Sequence, residues 1–268
     1  PMIVYLAETD EVVTISGLGR WPKAASIDYF REHMDGDLPT GILRAVTPAA
    51  PDAWITALDR FGTMTFDQVV QPALDLVESR EPIYPEQKDM AVTFRRLMEA
   101  EREAGSDRHT GLKAARDLVY TGEMALEIAA HAEREGSFLR AEDLARFQVR
   151  IEPPERTSYK GYEVYSCGPW CQGPSLLMAL NTLEGIDLVG MGHNSTDYLH
   201  SVLETLKLTF SDRHHYFGDP DFVQVPMQGL LSKKYATVRR QAIDLQQAAS
   251  DMPAPSDPWS FHPEPRSE

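Results

Sequence analysis

The chain has 268 residues, with 26 lysines and arginines against 41 aspartates and glutamates, a formal net charge of −15 and 42% hydrophobic residues. That balance fits a globular chain of one large domain or two small ones with a sizeable core. It argues against binding to a nucleic-acid backbone or to an anionic membrane, both of which need clustered cations. With no run of about 18 uncharged apolar residues, no membrane-spanning helix is expected.

Pro1 leads straight into the apolar run Met2-Ile3-Val4-Tyr5-Leu6 with no leader or basic region before it, so further residues upstream are expected. A second β-branched run at 11–15, with turn-like residues at 7–10 between, predicts a hairpin. Pro51-Asp52 opens a helix carrying Trp54, Ile55, Leu58 and Phe61 that stops at Gly62. Thr65 caps a helix over 66–78, where Phe66, Val69, Val70, Ala73, Leu74 and Val77 share one face, and Pro72 should kink or restart it. The charged stretch 86–104 reads as a surface helix and 105–111 as a loop. Helices follow at 122–135 and 141–145, then strands at 147–151 and 162–166. Beyond Gly168-Pro169-Trp170, helices are expected at 175–184 and 195–217. In the second, Leu199, Val202, Leu203, Leu206 and Phe210 form a core-packing stripe behind an N-cap at Asn194-Ser195-Thr196. No fixed-period repeat occurs, so solenoids and propellers are set aside and the class is mixed α and β, dominated by helix. From Ala249 onward the chain carries Pro253, Pro255, Pro258, Pro263 and Pro265 among Ser, Asp and Glu, which predicts an exposed, extended tail.

Candidate chemistry is sparse. Cys167 and Cys171 make neither a disulfide framework nor a four-ligand zinc site; packing or loop duty is the favoured reading, with a local bridge as the alternative. His193, His200, His214 and His215 lie near Glu204 and Asp212, but no paired-ligand motif is present, so a solvated helix face is read there and no metal is expected. Asn194-Ser195-Thr196 also satisfies the N-glycosylation pattern, which a helix cap sufficiently explains. Ser175 lacks a nucleophile-elbow context, and Gly17-Leu18-Gly19 lacks the strand, turn and helix order of a dinucleotide site. Arg20 is different: an arginine just past a strand end can grip a carboxylate through its fork of donors, with the neighbouring Trp21 as a wall. A surface arginine on a hairpin is the competing reading.

Residues 162–174 with the Leu180-Asn181-Thr182-Leu183-Glu184-Gly185 run resemble the gamma-glutamyltransferase family. So do Gly192-His193-Asn194-Ser195, Tyr198-Leu199-His200, residues 207–216, Gly218-Asp219-Pro220-Asp221-Phe222-Val223, Val225-Pro226 and Gly229-Leu230-Leu231-Ser232. With weaker matches upstream, the resemblance extends over residues 2–246. It implies an α+β N-terminal nucleophile hydrolase, a four-layer αββα sandwich of which this chain is the helix-rich large-subunit portion. Residues 1–248 would belong to that one domain, and 249–268 would be the tail ending at the self-processing site, Glu268. The nucleophile would be the N-terminal Thr of a small subunit cut from the same precursor, so no catalytic residue is assigned to this chain and no cofactor is implied. The substrate would be a small-molecule amide; a dimer of heterodimers is left open as a further assembly, and a cytoplasmic location is expected with a periplasmic one as alternative.

One departure bears on specificity. Glutathione-processing members of the family follow the hairpin with a Gly-Arg-Glu-Thr-Ala-Pro type segment, whose Arg holds the γ-glutamyl α-carboxylate. Alignment on Ile15-Ser16-Gly17 and Pro22 puts Leu18 at that Arg and leaves Arg20 two places later. Loss of a bidentate charged contact costs several kcal/mol. The expected activity is therefore hydrolysis of another small carboxylate-bearing amide, oxamate-like or acyl, with glutathione hydrolysis or γ-glutamyl transfer as the alternative and a non-catalytic scaffold as the alternative of another class. Arg20, Trp21 and Trp170 are the candidate substrate-binding residues, with core packing the competing role for each tryptophan.

Overall fold

The computed structural model describes residues 1–79 and 86–263. The chain divides into two compact units, one built from Pro1 with Ile15–Ile151, the other from Met2–Thr14 with the residues from Glu152 onward.

The first unit is helical: α1 (Ile27–His33), a 3₁₀ turn at Ile42–Arg44, α2 (Ala50–Phe61), α3 (Phe66–Ser79), α4 (Glu86–Glu103), α5 (Arg108–Tyr120), α6 (Glu123–Arg134) and α7 (Ala141–Arg146). Each start has a local cause. Ser26 caps α1 by accepting from the Tyr29 N–H at 3.1 Å. Thr65 and Gln68 cap α3 reciprocally, each side chain accepting the other's N–H at 3.2 and 3.0 Å. α3 runs on through Pro72 without restarting.

Two expectations fail together at α4 and α5. The stretch 105–111 is not all loop, because Asp107 accepts from the Thr110 N–H at 2.8 Å and its hydroxyl at 2.6 Å, starting α5 at Arg108. Gly111, which disguises that start, sits where a Cβ would lie 2.9 Å from Glu101 Cγ. Nor is α4 a surface helix throughout: Ala91, Leu97, Met98 and Glu101 are buried. The Glu101 carboxylate accepts from the N–H groups of Phe66 and Asp67 at 2.7 and 2.8 Å. A buried anion thus satisfies donors that the first turn of α3 leaves open.

The second unit carries the sheets. The hairpin forms as expected, β1 (Met2–Leu6) beside β2 (Glu11–Ile15), with β3 (Ile151–Glu152) on the far side of β2. Thr14 Oγ1 donates to the Glu152 carbonyl at 3.1 Å. Of the strand expected over 147–151 only Ile151 lies in β3, and the Val149 N–H is taken by the Asp52 carboxylate at 2.7 Å. A second sheet pairs β4 (Glu155–Tyr159), not anticipated, antiparallel with β5 (Tyr162–Ser166), Glu155 opposite Ser166.

Helices α8 (Gly173–Leu183), α9 (Leu188–Met191), α10 (Thr196–Tyr216), α11 (Met227–Leu230) and α12 (Lys233–Gln241) follow, then a 3₁₀ turn at Trp259–Phe261. Ser195 caps α10, accepting from the Tyr198 N–H at 3.2 Å. Met178, Met227, Leu230 and Tyr235 form a buried cluster against which Tyr216, Phe217 and Phe261 pack.

The face that α10 buries is the reverse of the one expected. Leu199, Leu203 and Leu206 are 45%, 57% and 36% exposed, whereas Ser201, Glu204, Thr205, Leu208, Thr209, Ser211 and Asp212 are buried. That face packs on α8 and α12, with Leu208, Thr209 and Asp212 beside Met178, Thr182 and Tyr235, and its edge at Glu204, Lys207 and Ser211 meets the chain after α12.

Candidate functional site

Arg20 and Trp21 lie in the first unit, on the loop that leaves the hairpin. That loop is pinned by its backbone. Ser16 donates to the Arg150 carbonyl at 2.9 Å and its hydroxyl accepts from the Arg150 N–H at 3.0 Å. The Thr47 N–H donates to the Arg20 carbonyl at 2.9 Å, and the Lys23 N–H to Asp143 at 2.9 Å. Gly19 is required there, because a Cβ would overlap the Thr47 carbonyl. On this fixed backbone the Arg20 side chain is exposed, and Trp21, 44% exposed, stands edge-on to Phe30 with ring centroids 5.9 Å apart. Leu18 is exposed as well. Arg20 and the half-exposed Trp21 are thus neighbours on a loop whose backbone is pinned, and an arginine so placed can bind a small carboxylate.

Trp170 belongs to the other unit, in the turn between β5 and α8. Its Nε1–H donates to Glu152 Oε2 at 2.9 Å, and the indole lies over Gly168, where a Cβ would be 2.9 Å from Nε1. With its one donor engaged, the half-buried indole has only apolar surface left to present. Cys171 donates its N–H to the Gly168 carbonyl at 3.1 Å, closing the turn, and its sulfur accepts from the Gly173 N–H at 3.4 Å. Gly173 packs on Ser166, 2.8 Å from Cβ to Cβ if a side chain were added. Both cysteines are free, and burial pushes the Cys167 thiol up to about 11. At neutral pH it is an inert thiol that packs, which is the role its sequence position suggested.

Sequence reasoning missed the polar seam between α10, α12 and residues 249–262. Asp212, nearly inaccessible, pairs with Arg239 Nε at 2.9 Å and accepts from the Ser256 N–H at 3.1 Å. Burial holds the Asp212 carboxyl above its usual range against the pull of Arg239. Tyr216 and Tyr235 both donate to the Ser256 carbonyl, at 2.8 and 3.3 Å. The available signal was the spacing of Glu204, Ser211 and Asp212 on one helix face, opposite a proline-rich segment whose carbonyls need donors.

His200 Nε2 meets the Asp244 carbonyl at 2.7 Å, while Glu204 holds Lys207 Nζ at 2.7 Å. Among the described residues, no group of three or more His, Cys, Asp or Glu is placed to hold a metal ion. No described helix is long and apolar enough to cross a membrane. Glu268, the expected processing site, lies outside the described residues.

The family model of gamma-glutamyltranspeptidase matches residues 1–109 and 81–266. The chain belongs to the gamma-glutamyltranspeptidase family. Among its relatives, the Acylase ACY 1 proenzyme of Pseudomonas sp. (strain SE83) is 32% identical over 243 residues, which are 82% of this chain and 44% of that protein. The glutathione hydrolase proenzyme of Escherichia coli (strain K12) is 30% identical over 233 residues, 78% of this chain and 40% of that protein. The solved structure of cephalosporin acylase from Bacillus halodurans matches with a TM-score of 0.77 at 25% identity, covering 96% of this chain and 52% of that one. This member of the gamma-glutamyltranspeptidase family therefore has the N-terminal nucleophile hydrolase fold, in its helix-rich part, and spans less than half the length of the two proenzymes.

Proposed function

We propose that this chain is the large-subunit part of a self-processing amidohydrolase, residues 1–248 within the catalytic domain and 249–268 leading to the cleavage point. The observation that carries the reading is the family match over residues 1–109 and 81–266, combined with relatives that are proenzymes more than twice as long as the matched segment. A Thr hydroxyl in the segment after the tail would add to the carbonyl of the preceding residue. The C–N bond breaks, nitrogen takes up the proton, and water hydrolyses the resulting ester to give a tail carboxylate and a free N-terminal Thr. That α-amino group, with a pKa near 8, then serves as base for its own hydroxyl in attack on the substrate amide. Backbone N–H donors would stabilise the oxyanion.

The small subunit is proposed to cover the α10 leucine stripe. Exposed Leu203 and Leu206 line, with Phe210, Ala248 and Met252, an apolar groove of about 310 Å³, and exposed apolar patches of this kind commonly mark interaction surfaces. On the substrate side, Leu18 stands where a γ-glutamyl-binding arginine is expected and Arg20 lies two places later. We assign Arg20 to the carboxylate of a small acid amide, with Trp21 as a wall.

Intact-mass spectrometry of the product of the full-length gene tests the processing. A second chain beginning with Thr immediately after Glu268 supports the reading; a single uncut chain replaces it with a binding or scaffold role. With a substrate in hand, Arg20→Ala is expected to raise KM about 10- to 100-fold, the worth of a charge-assisted hydrogen bond, with kcat little changed. An unchanged KM removes Arg20 from the site.

A further inference from the structure

The proline-rich segment at 249–262 is held at Ala249, Pro253, Ala254, Ser256 and Pro258. Prolines 253, 255 and 258 supply no N–H and fix φ at about −65°, so before the turn at Trp259–Phe261 the segment forms no hydrogen-bonded ladder of its own. α10 and α12 supply what is lacking. Lys207 Nζ donates to the Ala249 carbonyl at 2.6 Å, Ser211 Oγ to that of Pro253 at 2.5 Å and Arg239 to that of Ala254 at 3.3 Å. Glu204 and Asp212 accept the N–H groups of Ala249 and Ser256 at 3.3 and 3.1 Å. The partners on α10 advance along one face from Glu204 through Ser211 to Tyr216 as the segment advances from Ala249 to Ser256. At its far end Pro258 is buried with its carbonyl against Gly229, where any Cβ would overlap it, and Phe261 meets the Tyr235 ring at 5.7 Å.

These bonds go to the backbone of the segment, so they set its register independently of its side chains. Cohesion alone would not require this: a surface segment needs its polar groups satisfied, which water does. Fixed register matters where one particular bond must be presented to an attacking atom, since reaction needs the two within about 3–3.5 Å and small misplacements cost large factors in rate.

We propose that the seam formed by Ser211, Asp212, Arg239 and Gly229 is a positioning clamp for self-processing, fixing the segment that leads to the scissile bond. This rests on the processing reading above. The clamp acts before cleavage and takes no part in turnover of the substrate amide.

The test uses the full-length precursor, followed by gel after synthesis, with wild type, Gly229→Ala, Ser211→Ala and Ser211→Thr in parallel. Gly229→Ala forces the Pro258 carbonyl away and is expected to slow cleavage about tenfold or more. Ser211→Ala removes one donor and is expected to slow it about threefold to tenfold, with Ser211→Thr restoring the rate. Amide turnover per molecule of cleaved enzyme should match wild type in every variant, which separates positioning from a general folding defect. Wild-type cleavage rates in both Gly229→Ala and Ser211→Ala overturn the clamp, as does an equal loss of turnover in the cleaved variants. An uncut wild-type precursor instead removes the processing reading itself, and the clamp with it.

Discussion

Among the described residues, each compact unit contains one buried aspartate paired with an arginine, and the two pairs are used differently. Asp52, fully buried, accepts from Arg116 Nε at 2.5 Å and from the Val149 N–H at 2.7 Å, and Arg116 reaches on to the Phe147 carbonyl at 2.7 Å. That pair ties α2 and α5 to the stretch 147–149, and Arg116 also lies 4.9 Å over the Tyr120 ring, whose hydroxyl donates to the Pro48 carbonyl at 2.6 Å. Asp212 and Arg239 make the corresponding knot between α10, α12 and the proline-rich segment. In the first unit every group tied down belongs to packed helices or to the chain between them. In the second, the group tied down is a segment with almost no core of its own, so the pair governs where that segment lies more than whether the unit folds.

The largest effect expected is therefore at Asp52. Asp52→Ala strands Arg116 in a largely buried site and leaves the Val149 N–H without an acceptor, at a cost of about 3–5 kcal/mol in denaturant unfolding. Asp212→Asn takes the counter-charge from buried Arg239 but keeps a side-chain oxygen for both Arg239 and the Ser256 N–H and removes a charge that burial disfavours, so its cost should be smaller, about 1–2 kcal/mol. Burial raises the folded-state value of Asp212, so ionising it in the fold is unfavourable relative to the unfolded chain, and its contribution declines as pH rises through that raised value. If Asp212→Asn costs as much as Asp52→Ala at neutral pH, the distinction between a structural pair and a positioning pair is lost.

The contrast also explains what the sequence revealed. Helices with apolar faces and local caps were legible, as at Thr65 and Ser195, because their causes lie within a few residues. The hairpin was legible for the same reason. What escaped was set at long range: Gly111 looks like a loop residue until Glu101 occupies its missing side chain, and 147–149 looks like a strand until Asp52 takes an N–H. The leucine stripe of α10 is the sharpest case. Periodicity identified a helix and two faces, but which face turns inward depended on α8 and on a proline-rich segment more than forty residues downstream, whose backbone carbonyls have no signature in composition. Candidate site residues were named by resemblance and local chemistry, and the seam, built from ordinary Ser, Tyr and Arg side chains, could be recognised only once both strands of it were in place.

Glu204 gives the smallest expected effect and the finest probe of the seam. Burial alone would raise its pKa, but the Lys207 ammonium, the Ala249 N–H and the nearby His200 together bring it below the ordinary glutamate value. A lowered folded-state value means that the stabilisation is fully present above the unfolded pKa, near 4.3, and is lost as pH falls through the folded one. Wild type should therefore exceed Glu204→Gln in stability by no more than about 1 kcal/mol at pH 6–8, the worth of a modest ion pair. The difference should shrink between about pH 5 and pH 3 as Glu204 takes up its proton and becomes, like glutamine, a neutral partner for Lys207. Titrations of both proteins by urea unfolding across that range measure it directly. A difference that instead grows on acidification would mean that burial, not Lys207, sets the state of Glu204, and that the segment's first anchor is held by the amide alone.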